Sequence, residues 1–294
     1  MIILITGANG FLGHYLIKHL LPANHLVIAT GKGESRLLQK HDRLIYIPMD
    51  FTDPFAVHDV FEKISPNVIV HAGAMANVDE CERDQWKAYV TNVEGTLTLL
   101  ANAEEHQAHF IFVSTDFVFD GESGPYDENS QANPVNFYGR TKLDAEDAVR
   151  EYPFDWTIVR TVLIYGNNPT GRDNILTVVN KKLSAGENYS VVDDMVRTAT
   201  FVEDLAKGIV SIIMKKKTGI YHLSGKDPVT PYQMARKVAE HLQLDISLIK
   251  KVSAADLDAA AKRPPQTIFN LDKSRHELNY EPVSFDEGLK LSFT

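Results

Sequence analysis

At 294 residues, with 44% hydrophobic and 23% charged side chains, the chain has the make-up of a globular enzyme able to bury a large core. A net charge of -9 excludes a general nucleic-acid binder, which needs many phosphate-neutralising cations, but leaves room for an anionic small molecule held by a few local ones. Cys81 is the only cysteine, so no intrachain disulfide forms, which fits a reducing compartment.

The apolar opening, MIILITGANGFLGHYLIKHLL, lacks a basic leader and is interrupted by glycines and polar residues. It reads as neither a signal peptide nor a membrane span, no other run approaches spanning length, and a cytoplasmic location is the expectation. Apolar runs at 2–5, 26–29, 44–47, 68–70, 110–113 and 157–159 then alternate with helix-length periodic segments near 11–21, 54–64, 84–106 and 136–150. Continuous apolar strands separated by helices predict a parallel sheet covered on both faces, a Rossmann-type doubly wound α/β fold. Beyond about residue 166 the pattern loosens. Helices are predicted at 172–185 and 203–214, a strand at 220–223, and a helix at 230–242 with Thr230 as N-cap and Pro231 at its first position. The Ala-rich stretch 254–262 reads as a helix turn. The expected organisation is a dinucleotide-binding domain over 1–165, with 198–223 returning to it, and a smaller substrate-binding lobe over 166–197 and 224–294.

The first strand runs directly into Gly7, Gly10 and Gly13 at the start of the first helix. Glycines there permit a tight turn and close approach of a pyrophosphate to backbone N–H groups, and the helix terminus adds partial positive charge. Asn9, Phe11 and Leu12 complete the expected cofactor-binding turn. After the second strand an NAD-specific site would present an acid to the ribose 2′-hydroxyl. Here Lys32 and Arg36 flank Glu34, a cationic pair suited to a 2′-phosphate. NADPH is the expected cofactor, with NADH the alternative. Asp50, followed by Phe51, is placed to meet the adenine, and the small residues Ala72, Gly73 and Ala74 let backbone approach the cofactor. His71 reads as structural. Asn92 joins the cofactor set. No histidine has metal-ligand spacing with carboxylate or cysteine support, so no metal site is expected.

The fifth strand delivers Ser114, Thr115 and Asp116 to the carboxyl edge of the sheet, where functional side chains gather in open α/β folds. A long polar loop follows, then Asn-Phe-Tyr-Gly-Arg-Thr-Lys at 136–142. Tyr138 and Lys142 lie one helical turn apart on one face. An ammonium so close stabilises a tyrosinate and makes the phenol a better proton donor.

Together TGANGFLG, PNVIVHAGAMANVDECE, STDFVFDG, PYDE, NPVNFYGRTKLDAE, VVDDMVRTATFVEDLA and KRPPQTIFNLDK, in order along nearly the whole chain, resemble the extended short-chain dehydrogenase/reductases, and among them the dTDP-4-dehydrorhamnose reductase family. The resemblance implies that Thr115, Tyr138 and Lys142 are catalytic and that the reaction is NADPH-dependent reduction of a 4-keto nucleotide sugar. Thr115 would grip the carbonyl oxygen, Tyr138 protonate it, and Lys142 also reach the nicotinamide ribose. For Thr115 the competing reading is a strand-end hydroxyl bonded to its own backbone. The chain departs from the family pattern at Leu163, where a tryptophan is usual, and at Met75, where a tyrosine is usual. Both positions are implied to meet the sugar or nicotinamide. Asp116 joins the expected substrate set. Arg197 and Arg263 are candidate diphosphate partners, because guanidinium pairs bidentately with phosphate oxygens; an interdomain salt bridge is the alternative for each.

A dehydratase would place Glu after the Thr–Asp pair, where Phe117 stands, and an epimerising reductase of the GDP-fucose type would need a Cys–His pair that the loop lacks. A non-catalytic alternative is an NADP-binding regulatory subunit like the β subunit of methionine adenosyltransferase, which resembles the same family. The helices predicted at 84–106 and 136–150 either pair across a homodimer or cover the sheet.

Overall fold

A computed structural model describes residues 1–171, 173–256 and 258–293. Seven parallel strands form one sheet: β1 (Ile2–Thr6), β2 (Leu26–Gly31), β3 (Leu44–Pro48), β4 (Val68–His71), β5 (His109–Thr115), β6 (Trp156–Thr161) and, at the far edge, Gly219–His222. The order runs from Gly219–His222 through β6, β5, β4, β1 and β2 to β3, so the winding direction reverses between β1 and β4. That reversal opens a crevice at the carboxyl ends of these two strands.

The apolar runs are continuous because alternate residues enter different cores. Ile3 and Ile5 of β1, with Ile111 of β5, face the layer containing α1 (Phe11–Leu20), whereas Leu4, Phe110 and Phe112 face the layer of α2 (Pro54–Ile64) and later helices. Both sets are fully buried.

The helix predicted at 84–106 is present over Gln85–Glu105, with a π turn inside it. α3 (Val78–Arg83), absent from the sequence prediction, precedes α4 (Gln85–Tyr89), a π-helical turn at Val90–Glu94 and α5 (Gly95–Glu105). Asp84 separates α3 from α4 and caps the latter: its side chain accepts from the Lys87 N–H. The π turn holds Asn92 inward, 1% exposed. α6 (Phe137–Arg150) follows β5 and starts from an Asn136 cap, whose side chain accepts from Gly139 N–H at 2.8 Å and donates to Lys262 O at 2.8 Å.

Past β6, short strands β7 (Ile164–Tyr165), β8 (Tyr189–Val192), β9 (Val196–Arg197) and β10 (Thr200–Phe201) surround α7 (Ile175–Ser184). Residue 172, where that helix was predicted to begin, lies outside the described residues. α8 (Val202–Lys215) packs on α1 and leads into β11, the Gly219–His222 edge strand. α9 (Pro231–His241) opens with the predicted Thr230 cap, closed into a capping box by Gln233. β12 (Ile249–Val252) pairs with β8, β13 (Gln266–Thr267) pairs with β9, and α10 (Asp272–Leu278) and α11 (Phe285–Leu291) end the chain. Of the helix turn predicted at 254–262, the structure has a single 3-10 turn at Ala254–Asp256, and Leu257 lies outside the described residues. A third core joins α7, α9 and α11 through Leu176, Val179, Met234, Val238 and Phe285.

Candidate active site

A cavity of about 710 Å³ lies at the carboxyl ends of β1, β4, β5 and β6, walled on its far side by Asp173 and Asn174 before α7, by β8 and β9, and by residues 258, 259 and 263. Its floor is the β1–α1 turn: Gly7, Gly10, Phe11, Leu12 and Gly13 all line it. Gly7 has φ +71°, and a Cβ there would lie 2.8 Å from Gly73 N, so the turn needs glycine on both conformational and steric grounds. A Cβ at Gly13 would sit 2.6 Å from Ala8 Cα. No side chain caps α1 at Gly10 and its first turn carries no acid, which leaves helix-end N–H groups available to an anion. Ala72 and Ala74 line the neighbouring wall.

Several residues expected to touch the cofactor do not line this cavity and are held by the following contacts. Asn9 donates to Glu34 O at 3.0 Å and to the Tyr46 hydroxyl at 2.8 Å, and accepts from Arg36 N–H at 2.9 Å, so it ties the glycine turn to the loop after β2. The Phe51 ring is wedged between Gly73 and Gly95, where added Cβ atoms would come within 2.5 and 2.7 Å of it. Asn92 grips the Met75 backbone from both sides, accepting from its N–H at 2.8 Å and donating to its carbonyl at 3.1 Å, and also donates to Thr141 Oγ1. Lys32 is exposed and pairs with Asp50 at 2.7 Å. Burial pushes the Asp50 carboxyl up, but the bonds from Lys32 and Thr52 outweigh it and leave the group below the ordinary carboxylate range. Arg36 is exposed in the loop after β2. His71 is structural: Thr96 donates to Asn92 O and so accepts from Nε2–H at 3.1 Å, leaving Nδ1 to accept from Thr6 at 2.6 Å. Burial holds its imidazole well below the usual range.

Thr115, Tyr138 and Lys142 all line the cavity. Lys142 is 2% exposed; its ammonium donates to Val113 O at 2.9 Å and lies 3.8 Å from the centre of the Phe112 ring. Burial pulls it down to about 7, with the Glu146 carboxylate pushing the other way. Tyr138 is half-buried and meets Phe117 edge-on. The Thr115 hydroxyl accepts from Phe117 N–H at 3.2 Å and donates to Asp116 Oδ1 at 3.1 Å, so the strand-end bond to nearby backbone is present alongside its place on the cavity wall. Ser114 also lines the cavity, but its hydroxyl donates to Glu146 at 2.6 Å.

Asp116 and Arg197 form a buried brace. Thr267 donates to Asp116 Oδ2 at 2.5 Å, and Arg197 Nε stands 3.8 Å from the same oxygen. Burial raises the Asp116 carboxyl, opposed by Arg197 and Thr267. The Arg197 guanidinium, expected to hold a diphosphate, donates instead to the carbonyls of Val196, Pro264 and Pro265 at 2.8, 2.5 and 3.2 Å. Its donors are occupied because β9 and the 264–265 segment run alongside it. Arg263 forms an ion pair, as the alternative reading had it: its two terminal nitrogens reach Asp79 of α3 at 3.2 and 2.7 Å. That pairing lowers the Asp79 carboxyl. Leu163 lines the cavity and is 45% exposed; Met75 does not line it, although its neighbours Ala74 and Ala76 do.

Residues that the sequence reading missed include Asp79 and Val78 of α3, Thr161, Asp173 and Asn174 at the start of α7, Met195, and Asp258. Asp79 gave no local signal, since its partner is 184 positions away.

Comparison with known proteins gives the same picture. The RmlD substrate binding domain model matches residues 1–294. A dTDP-4-keto-6-deoxy-D-glucose reductase of Streptomyces niveus is 32% identical over 95% of this chain and 92% of its own. Methionine adenosyltransferase 2 subunit beta of Bos taurus is 31% identical over 94% of this chain and 81% of its own. The crystal structure of dTDP-4-dehydrorhamnose reductase from Bacillus anthracis in complex with NADP superposes with a TM-score of 0.88 at 29% identity, covering 99% of this chain and 98% of that one. With a seven-stranded doubly wound sheet, a glycine turn at its switch point and a family model spanning its whole length, the chain belongs to the RmlD substrate-binding-domain family of extended short-chain dehydrogenase/reductases.

Proposed function

We propose that the chain is an NADPH-dependent oxidoreductase that reduces the 4-keto group of a nucleotide-activated deoxysugar, with dTDP-4-dehydro-L-rhamnose the substrate and dTDP-L-rhamnose the product. The observation that carries this reading is that Thr115, Tyr138 and Lys142 line the same cavity as the Gly7–Gly13 turn. The uncapped, acid-free start of α1 and the steric demand for glycine at position 7 fit a pyrophosphate. When bound, NADPH supplies a hydride to the carbonyl carbon.

The chain's own residues do the rest. Tyr138 gives its phenolic proton to the oxygen as the carbonyl becomes an alkoxide. Lys142, anchored on Val113 O, places a positive charge beside that phenol and orients the ribose of the nicotinamide half. Thr115 turns its hydroxyl from Asp116 to the carbonyl oxygen and stabilises the developing charge. Lys32 and Arg36 face the adenosine 2′-phosphate, for which Lys32 must exchange Asp50 for the ligand. Phe117 follows the Thr115–Asp116 pair where a dehydratase would need an acid.

The test is NADPH oxidation with a panel of dTDP-, UDP- and GDP-linked 4-keto-6-deoxy sugars. Turnover with the dTDP-linked rhamnose precursor, and weaker turnover with the others, supports the assignment. No turnover with any member, together with capture of a methionine adenosyltransferase catalytic subunit, would support the regulatory reading suggested by the relative of that name.

A further inference from the structure

Glu146, one turn beyond Lys142 on α6, has no role in the chemistry above, yet it is the most completely bonded carboxylate around the site. It is 0% exposed. Oε1 accepts from Ser114 Oγ at 2.6 Å and from Arg160 Nε at 2.9 Å; Oε2 accepts from Arg160 Nη2 at 2.7 Å and from Arg150 Nη2 at 2.8 Å. The four bonds join three elements: α6, which carries Tyr138 and Lys142; β5, whose Val113 carbonyl anchors Lys142; and β6, which carries Arg160.

We propose that Glu146 is a positioning residue for the Tyr138–Lys142 pair, its carboxylate locking the ends of α6, β5 and β6 around Lys142 and supplying the counter-charge that keeps the buried ammonium beside Tyr138. The chemical role assigned to that pair rests on the reading under Proposed function; the electrostatic coupling does not. The other groups around Lys142 do not substitute for Glu146. His71 on β4 is kept neutral by burial, Asp116 after β5 is turned to Thr267 and Arg197, and Arg160 on β6 is a cation paired with Glu146. On α6 itself, Arg150 is partly exposed and offsets part of the Glu146 charge.

The proposal predicts opposite effects from two substitutions. Glu146→Gln removes the counter-charge and leaves Arg160 uncompensated, so Lys142 loses its proton at lower pH. Arg150→Ala removes a competing cation and lets Lys142 keep its proton to higher pH. Charges about one helical turn apart, at an effective dielectric of about 20, make the first effect about one pH unit or more. Ser114→Ala removes a hydrogen bond but no charge and leaves the titration in place.

The readout is the ¹³C–¹H signal of the Lys142 ε-methylene in selectively labelled, ligand-free protein, assigned by its loss in Lys142→Arg. Shifts in opposite directions for Glu146→Gln and Arg150→Ala, with Ser114→Ala unchanged, support the proposal. Should Glu146→Gln fail to fold, the upward shift in Arg150→Ala still tests it. Unmoved titration in Arg150→Ala, or equal shifts in Ser114→Ala and Glu146→Gln, would overturn it. The pH profile of NADPH oxidation is measured separately. If the Lys142 signal moves as stated while no sugar nucleotide is reduced, the reductase reading fails and the coupling stands.

Discussion

Replacing Tyr138 with Phe removes one hydroxyl and keeps the ring that packs edge-on against Phe117. Turnover is expected to fall by about 10²–10⁴, the usual contribution of a positioned proton donor, while NADPH affinity by fluorescence titration stays nearly unchanged. A decrease under about fivefold would remove Tyr138 from the chemistry. Lys142 sets the pH dependence. Its ammonium is pulled down to about 7 by burial, so the charge is present below that pH and lost as pH rises through it. Reduction also consumes the phenolic proton, so both effects favour the acidic side. The expected profile of kcat/KM at saturating NADPH falls above about pH 7, and a flat profile through that range would show that the charge is not used. Lys32 is exposed and held only by a partly exposed pair with Asp50, an interaction worth about 0–1 kcal/mol, so a 2′-phosphate can displace the carboxylate. Lys32→Ala is therefore expected to raise KM for NADPH by roughly tenfold, with much less effect on KM for NADH. Equal effects on both would reject the 2′-phosphate contact.

At the scale of elements, α6 is positioned as tightly at its start as along its length. Asn136 caps it, and Gly139 in its first turn lets the helix pass so near the turn at Asp116–Val118 that a Cβ would fall 2.1 Å from Phe117 O. Gly139→Ala must push apart the two segments that carry Tyr138 and Thr115. Expected is a loss of about 1–3 kcal/mol of stability by chemical denaturation, with turnover lost beyond what the unfolded fraction explains. Normal turnover in the folded fraction would show that the spacing is not critical. Much of this level was legible. The strands, the paired apolar faces and the Thr230 cap follow from local periodicity and capping chemistry. The short helix α3 and the π turn were not, because α3 is polar and the helical pattern runs on through the π turn. The π turn carries the buried Asn92 that holds the Met75 backbone, a contact between residues 17 positions apart.

Across the whole molecule the two sides of the cavity are tied by Asp79 and Arg263, and Ala261 N–H also donates to Asp79 at 3.0 Å. Arg263 lowers the Asp79 carboxyl, so this tie is intact above the ordinary carboxylate range and is lost as pH falls through the depressed value. Asp79→Asn keeps the size of the side chain and weakens its hold on the 261–263 segment. The expected outcome is a rise in KM for the sugar nucleotide of about threefold to tenfold, with NADPH affinity and kcat little changed. A matching fall in NADPH affinity would mean that the tie supports the sheet, not the substrate wall.

The doubly wound order, the glycine turn and the Tyr138–Lys142 spacing were determined by the sequence alone, because each depends on residues close in the chain and on periods of two or 3.6 that local sterics impose. Tertiary structure decided what the charges do. Arg197 lies on backbone carbonyls, Arg263 on Asp79, Ser114 on Glu146, and Asn92 on Met75 and Thr141. Nearly all of these partners are distant in sequence and become neighbours only when the chain folds. A long polar side chain takes whichever complementary group burial brings within reach, and no local pattern records that choice.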